Sequence, residues 1–443
     1  MSERTLPAGA RLFLAGRWIS SAGDWLCTTA LGWAIVCELG GGSETYAASR
    51  ALSALGVTLF ASATGPLLQR LSGVSVLVSA CVVACILSSV TAAFVWMAQP
   101  VTAGAINHQV IAWMLFASFI GGGVLAYRDA SEQRIQALLV APEQQNLLEH
   151  AWTKLYYIGR ITFGLISGVV LAAFGCAPLF LLDGATFVAL GVIVVLTSRL
   201  VPATLRVETT ARLQRSMLRA AIAGIGYSFR NYAKALWTVH RRTDLRFLFM
   251  VLFVVEGIGF TAWNFLPAMI SQELKAGGFA YGLVVCLSGV GGLIGIISRG
   301  WILERWPSAA AATFIGGALL APLGLIGVSF SPDEWVMSAC YAVALLGWSW
   351  FLPPIRVFCR LGPQGPLIVA VLSLTLLGFS RVSQVGIAVA LGTGYGLPGS
   401  VCVRISASVA LVTLCVMFLA FPKTLRTALS NMFAKHVPED SDA

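Results

Sequence analysis

Charge is what this sequence has least of. Asp, Glu, Lys and Arg make up 11% of its 443 residues, where an average soluble domain carries about 25%. A chain so poor in charge has too little polar surface to cover a water-facing domain. Histidine is scarce too: His108, His150, His240 and His436 fall in loops or helix ends, and none stands with a Ser or Cys in a nucleophile arrangement. No glycine-rich phosphate loop precedes a Lys, so the machinery of ATP-driven work is missing. The ten cysteines are scattered, mostly inside apolar runs, where a thiol behaves as a small hydrophobe. No metal or cofactor is expected, and no enzyme activity. The opening MSERTLPAGA runs into an apolar stretch that holds two charges and lacks a small-residue cleavage site, so no cleavable signal peptide is expected.

What is abundant is apolar sequence, 58% of the chain. Apolar segments recur near 12–38, 46–69, 74–98, 109–127, 146–174 and 178–198, then near 246–270, 280–302, 308–330, 335–354, 367–391 and 398–421. Each is long enough for a membrane-spanning helix of about 20 residues. The expected fold is an all-α integral membrane protein of twelve transmembrane helices in two pseudo-symmetric six-helix bundles. The expected boundaries are 1–200 for the first bundle, 201–245 for a linker, 246–422 for the second bundle and 423–443 for a tail.

Lys and Arg give the orientation. Arg70, Arg128, Arg134, Arg299, Arg305, Arg356, Arg360, Lys423 and Arg426 fall on the N-terminal side, while the opposite connections offer little besides Lys275, with Glu38, Glu44, Glu273, Asp333 and Glu334. The positive-inside bias puts both termini and the linker in the cytoplasm, in a multi-pass inner-membrane protein. The formal charge of +10 is then topological, and nucleic acid is not an expected partner. In the linker, Leu213, Met217, Ile222, Ile225, Phe229 and Leu236 recur at helical spacing among many arginines. That pattern predicts an amphipathic basic helix on the anionic inner leaflet.

Against this background the charges inside apolar segments stand out. Asp24 lies about 18 Å into the first segment, near the bilayer midplane, where an ionised carboxylate costs about 2.5–3.5 kcal/mol. Glu256 occupies a similar depth in the seventh segment, and Arg160 and Arg381 in the fifth and eleventh. Asp24 and Glu256 are candidate ion-coupling groups, or structural partners of an arginine. Arg160 and Arg381 are candidates for binding an anionic substrate, or for holding the acids in ion pairs. Arg17 reads as snorkelling, and Asp183 and Arg404 as interfacial anchors near the outer ends of their segments. Trp25, Trp33 and Trp263 are candidates for lining an amphiphile pocket, with packing or an interfacial belt as the alternative.

The halves repeat. Gly65-Pro66-Leu67-Leu68-Gln69-Arg70 and Gly300-Trp301-Ile302-Leu303-Glu304-Arg305 lie 235 residues apart, as do Arg11-Leu12-Phe13-Leu14 and Arg246-Phe247-Leu248-Phe249. Gly159-Arg160 and Ser380-Arg381 pair at an offset of 221, with Gly175 and Gly396 at the matching ends. Related six-helix halves point to a transporter whose site lies near the midplane.

With these residues the chain resembles the major facilitator superfamily. It is most similar to the branch of macrolide efflux pumps, enterobactin-type siderophore exporters and the lysophospholipid transporter. The likeness rests on Ser21-Ala22-Gly23-Asp24 with Ala30-Leu31-Gly32-Trp33, and on Arg134, Leu147, Ala151, Arg160, Gly164, Gly168, Gly175, Phe180 and Asp183-Gly184. It continues through Leu266-Pro267, Tyr281-Gly282 and Gly289, Gly291, Gly292 and Gly295. The resemblance implies that helices one, five, seven and eleven can face a central cavity. It also implies a conformational latch at Gly65, Gln69 and Arg70 and at Gly300, Glu304 and Arg305. Gln69 stands where the family has an acid, and Gly365-Pro366-Leu367 replaces a basic Gly-Arg-Val, so the first latch is expected to be weak.

The expected activity is proton-coupled export of a small amphiphilic, anionic, siderophore-like molecule by a monomer. Multidrug or macrolide efflux, lysophospholipid flipping, and a non-transporting sensor or scaffold are the alternatives.

Overall fold

The computed structural model describes residues 6–70, 72–98, 106–140, 144–200, 233–234, 236–360 and 374–434. Twelve long helical segments run through them. They are α1 (Ala8–Trp33, continued by a π-helical turn at Ala34–Glu38), α2 (Ser43–Arg70), α3 (Gly73–Met97), α4 (His108–Leu139), α5 (Gln145–Phe174) and α6 (Ala177–Leu200). Then come α7 (Thr243–Glu273), α8 (Gly278–Arg305), α9 (Pro307–Ser329), α10 (Glu334–Arg360), α11 (374–394) and α12 (Gly399–Ala420). Nine of these are long and apolar enough to cross a membrane on composition alone. The other three, α1, α2 and α11, are marked by charges or by interrupted helix. This is the all-α membrane architecture expected from the apolar periodicity.

Local chemistry sets the helix ends. Ser72 accepts from the Ser75 N–H to cap α3, and Asn107 accepts from the Val110 N–H to cap α4. The Asp333 carboxylate takes the N–H groups of Trp335 and Val336 at the start of α10. Each satisfies an otherwise orphaned donor in the first turn. Gly175, at φ 75°, turns the chain from α5 into α6, a left-handed conformation that glycine adopts without strain.

Two compact units emerge. The first comprises residues 1–228 with 277–286, and the second 229–276 with 287–443. In the first, Phe13 of α1, Leu77 and Cys81 of α3, and Phe187, Leu190 and Val194 of α6 form one buried cluster. Helices α2 and α4 pack backbone to backbone, since a Cβ on Gly56 would collide with the Phe119 carbonyl. In the second unit Gly291 of α8 stands in the same relation to the Ala342 carbonyl of α10, at the offset of 235. Large apolar side chains such as Val82, Val83 and Ile86 of α3 and Val409, Val412 and Val416 of α12 are left exposed, as surfaces bathed in acyl chains require.

The repeat extends to irregularities. A π-helical turn ends α1 at Ala34–Glu38 and another ends α7 at Met269–Glu273. Leu39 N–H donates to the Ala34 carbonyl and Leu274 N–H to the Met269 carbonyl, both at 2.9 Å. Gly40 (φ 73°) and Lys275 (φ 52°) come next, in the left-handed region. Glu273 then accepts from the Ser400 N–H at the start of α12 (3.0 Å), and Glu38 accepts from Cys176 at the start of α6.

One expectation changes. The fourth segment does not stop near 127: α4 continues to Leu139, so Arg128, Asp129 and Glu132 are helical residues rather than loop residues. In the expected tail Pro422–Ala434 form a further helix, α13, with Ala428, Leu429 and Met432 buried. The amphipathic basic helix of the linker falls largely on 201–232, outside the described residues, as do Gly365, Pro366 and Leu367.

Candidate functional site

In the first unit the intramembrane charges form one network. Arg128 of α4 donates to both oxygens of Asp24 on α1, at 2.9 and 2.7 Å, and to Ser20 Oγ at 3.3 Å. A bidentate pair of this kind fixes orientation as well as charge. Glu132, one turn along α4, lies 3.7 Å from Arg128 Nε and 2.6 Å from Arg17 Nε. Arg17 therefore does not snorkel to the interface. It is held inside by Glu132, and its guanidinium lies 3.9 Å from the Trp152 ring centre.

Exposure within the network is uneven. The Arg128, Glu132 and Arg17 side chains are 10%, 6% and 15% exposed, while that of Asp24 is 41% exposed. Asp129, 3.9 Å from Arg128 Nε, is 55% exposed, so Asp24 and Asp129 are the exposed members.

Arg160 of α5 stands 4.5 Å over the Trp25 ring, which also meets Tyr156 at 5.4 Å. A cation held over an indole face is stabilised by the ring quadrupole. Trp33 stacks on Tyr281 at 6.0 Å. Trp25, buried at 9% exposure, serves at least as the seat of Arg160.

In the second unit Glu256 and Arg381 do pair, at 3.0 Å. The pair is built on broken helix. Glu256 lies in a π-helical turn, Val254–Ile258, with a 3-10 turn directly after it at Gly259–Thr261, and α11 carries π-helical turns on both sides of Ser380–Ile387. Such turns free carbonyls from the ladder, and α11 side chains take them up. Gln384 Nε2 donates to the Glu256 carbonyl at 2.7 Å and Ser383 Oγ to the Gly257 carbonyl at 2.6 Å, while Arg381 Nη1 donates to Gln384 Oε1 at 2.8 Å. Trp263 lies buried against Tyr341, with ring centres 5.7 Å apart.

Two further readings are revised. Asp183 is no interfacial anchor: it is 3% exposed and accepts from Ser88 Oγ of α3 at 2.6 Å. Arg404 donates to the Ser329 carbonyl at 3.3 Å and stands over Phe330, closing the C-terminal end of α9. Of the latch residues, Gly65, Gln69 and Arg70 occupy the last turns of α2, with side chains outside the described set. Gly300 has open space where a Cβ would stand, and Glu304 and Arg305 are exposed at the end of α8. Gly300 therefore makes no close helix approach among the described residues. These residues also hold no cluster of His, Cys, Asp and Glu suited to a metal.

The residue that sequence reading missed is Arg128. Its signal was present: an arginine with acids at the next position and four residues on, directly after an apolar run.

A family model described as the Major Facilitator Superfamily matches residues 13–365. The chain belongs to the major facilitator superfamily. Its class of activity is accordingly membrane transport. Solved structures of similar fold include a POT family transporter in complex with 5-aminolevulinic acid, at 14% identity and TM-score 0.68, over 94% of this chain and 97% of that one. A bacterial homologue of the iron transporter ferroportin in an inward-facing state matches at 14% identity and TM-score 0.68, over 94% and 98%. A D-xylose-proton symporter matches at 12% identity and TM-score 0.65, over 93% and 97%. No curated protein sequence matches. At these identities the likeness to other major facilitator proteins is one of fold.

Proposed function

We propose that this major facilitator protein is a proton-coupled exporter of a small amphiphilic, anionic molecule, working by alternating access in the inner membrane. The observation that carries the reading is the Asp24–Arg128 pair. A buried guanidinium is matched by an exposed carboxylate, so a proton arriving at Asp24 takes the bidentate acceptor from Arg128, whose other exposed acid, Asp129, stands 3.9 Å away. Protonating Asp24 leaves Arg128 with Glu132 at 3.7 Å and Asp129 at 3.9 Å in place of its bidentate acceptor, a change that biases a two-state carrier. The proton-coupled character of one similar structure, the D-xylose-proton symporter, agrees with this reading. Glu256, paired with Arg381, is the second candidate for coupling, and Arg160 over Trp25 for holding the anionic group of the substrate.

A second reading is favoured by one feature. Arg381 is already engaged by Glu256 and Gln384, which reduces its capacity for an anionic substrate and brings multidrug or macrolide efflux close behind siderophore-like export. Lysophospholipid flipping and a non-transporting sensor are the remaining alternatives.

Proteoliposomes with an imposed pH gradient and a panel of a catecholate siderophore, a macrolide and a lysophospholipid decide among these. Wild-type protein is expected to move one class in step with the gradient, and Asp24→Asn to lose the gradient dependence. Gradient-driven flux that persists in Asp24→Asn would falsify the coupling role. Binding without movement of any of the three points to the sensor.

A further inference from the structure

The proposed coupling leaves one buried acid of the first unit unused. Asp183 stands in the second turn of α6 at 3% exposure. Its Oδ2 accepts from Ser88 Oγ at 2.6 Å. Its Oδ1 points at α1, where a Cβ on Gly23 would come within 2.5 Å of it. Apart from the Cys27 thiol of α1, which faces it, that oxygen has no hydrogen-bond partner among the described residues. No Lys or Arg lies within ion-pair distance of Asp183 among the described residues.

Gly23 is therefore the opening through which an acid of α6 reaches α1, next to Asp24. Arg128 is close by. Its guanidinium lies 5.8 Å from the Phe187 ring, and Phe187 is four residues beyond Asp183, hence on the same face of α6. The charged and titratable groups around Asp183 are Asp24, Arg17 and Cys27 from α1, Cys85 from α3, and Arg128, Asp129 and Glu132 from α4.

A carboxylate with no cation, sealed at membrane depth, is the expensive form of this group; a neutral acid with one hydroxyl donor is not. We propose that Asp183 holds a proton on Oδ1 while Asp24 is paired with Arg128, and gives it up when Asp24 is protonated, becoming the alternative counter-ion of Arg128. An O–H bond forms on Asp24 with a proton from outside the network; the O–H bond on Asp183 breaks and its proton leaves past Gly23 by the exposed side of Asp24. Asp24, Arg128 and Asp183 together carry zero net charge before and after, so the exchange never strands a lone charge in hydrocarbon. Asp183 is a positioning residue for Arg128 in this scheme. The exchange half of the proposal rests on the coupling reading; the proton held by Asp183 does not.

Infrared difference spectroscopy on the full-length protein in lipid films, with no substrate, reads protonated carboxyl groups directly. At neutral pH the wild type is expected to show a carboxylic C=O band that disappears in Asp183→Asn and shifts in Ser88→Ala, where the acid stays but its hydrogen bond is gone. In Asp24→Asn the band is expected to be lost, because Arg128 then draws the proton from Asp183. A wild-type spectrum without the band, or a band that survives Asp183→Asn, overturns the proposal. A band unchanged in Asp24→Asn overturns the exchange. If Asp183→Asn does not fold, the shift in Ser88→Ala carries the assignment, and a band unmoved by that variant overturns it. These spectra need no flux, so a failed transport assay and a failed Asp183 assignment are separate results.

Discussion

Arg128 concentrates the physics of the first unit in one side chain. It holds Asp24 by two hydrogen bonds and reaches Ser20 and Glu132. Removing it leaves Glu132 buried beside Arg17 alone and Asp24 without its bidentate partner. Arg128→Ala is expected to destabilise the protein by about 3–5 kcal/mol, read as a lowered midpoint of thermal unfolding in micelles. Asp24→Asn should lower it less, because its 41% exposure already leaves that carboxylate in contact with water. A larger loss in Asp24→Asn than in Arg128→Ala contradicts this hierarchy. Asp24, Glu256, Arg160 and Arg381 could be singled out from sequence because a charge within an apolar run is conspicuous. Their partners could not all be found that way. Glu256 and Arg381 are both conspicuous and do meet, but Asp24 meets a residue 104 positions away that looked like the start of a basic loop. Asp183 was misplaced for a related reason. Distance along a helix gives depth, whereas burial depends on the neighbours, here Gly23 and Ser88.

At the scale of elements, the apolar helices were legible, since twenty-residue apolar runs admit little else in lipid, while the polar extension of α4 to Leu139 and helix α13 were not. Their irregularities were not. A π-helical turn arises from one residue too many in the ladder, and composition carries no trace of it. The spacing of 235 did reveal that the halves correspond, and the structure extends that correspondence to the turns themselves. One member of the pair is strained. Gly40 tolerates the left-handed backbone that Lys275 must adopt at φ 52°, at a penalty of about 1–2 kcal/mol for a residue with a side chain. Lys275→Gly is expected to raise stability by up to about 1 kcal/mol, the gain being offset by the added chain entropy of glycine. Gly40→Lys should lower it. Unfolding midpoints of the two variants check the sign, and a destabilised Lys275→Gly contradicts the account.

For the whole molecule, composition alone excluded a soluble domain, and the arginine distribution provided an orientation that is tested without any substrate. On the proposed orientation, both ends cytoplasmic, a fluorescent protein fused after Ala443 is expected to glow in cells and an alkaline phosphatase fused there to be inactive. A fusion in the connection between α7 and α8, at Lys275–Gly277, should give the reverse pattern. Matching signals at the two sites contradict the orientation. The substrate was beyond reach at this scale, because the fold is shared by carriers of unlike cargo, and the charges that bear on cargo differ between the halves. Asp24 corresponds at the offset of 235 to Gly259, and Glu256 to Ser21.

The extra residue at the end of α1 and its copy at the end of α7 carry a geometric consequence. An insertion turns everything beyond it by about 100° around the helix axis, so neither copy can be lost alone without re-aiming the chain on its far side. Deleting one residue from either turn and not from the other breaks the match between the halves while leaving every charge in place.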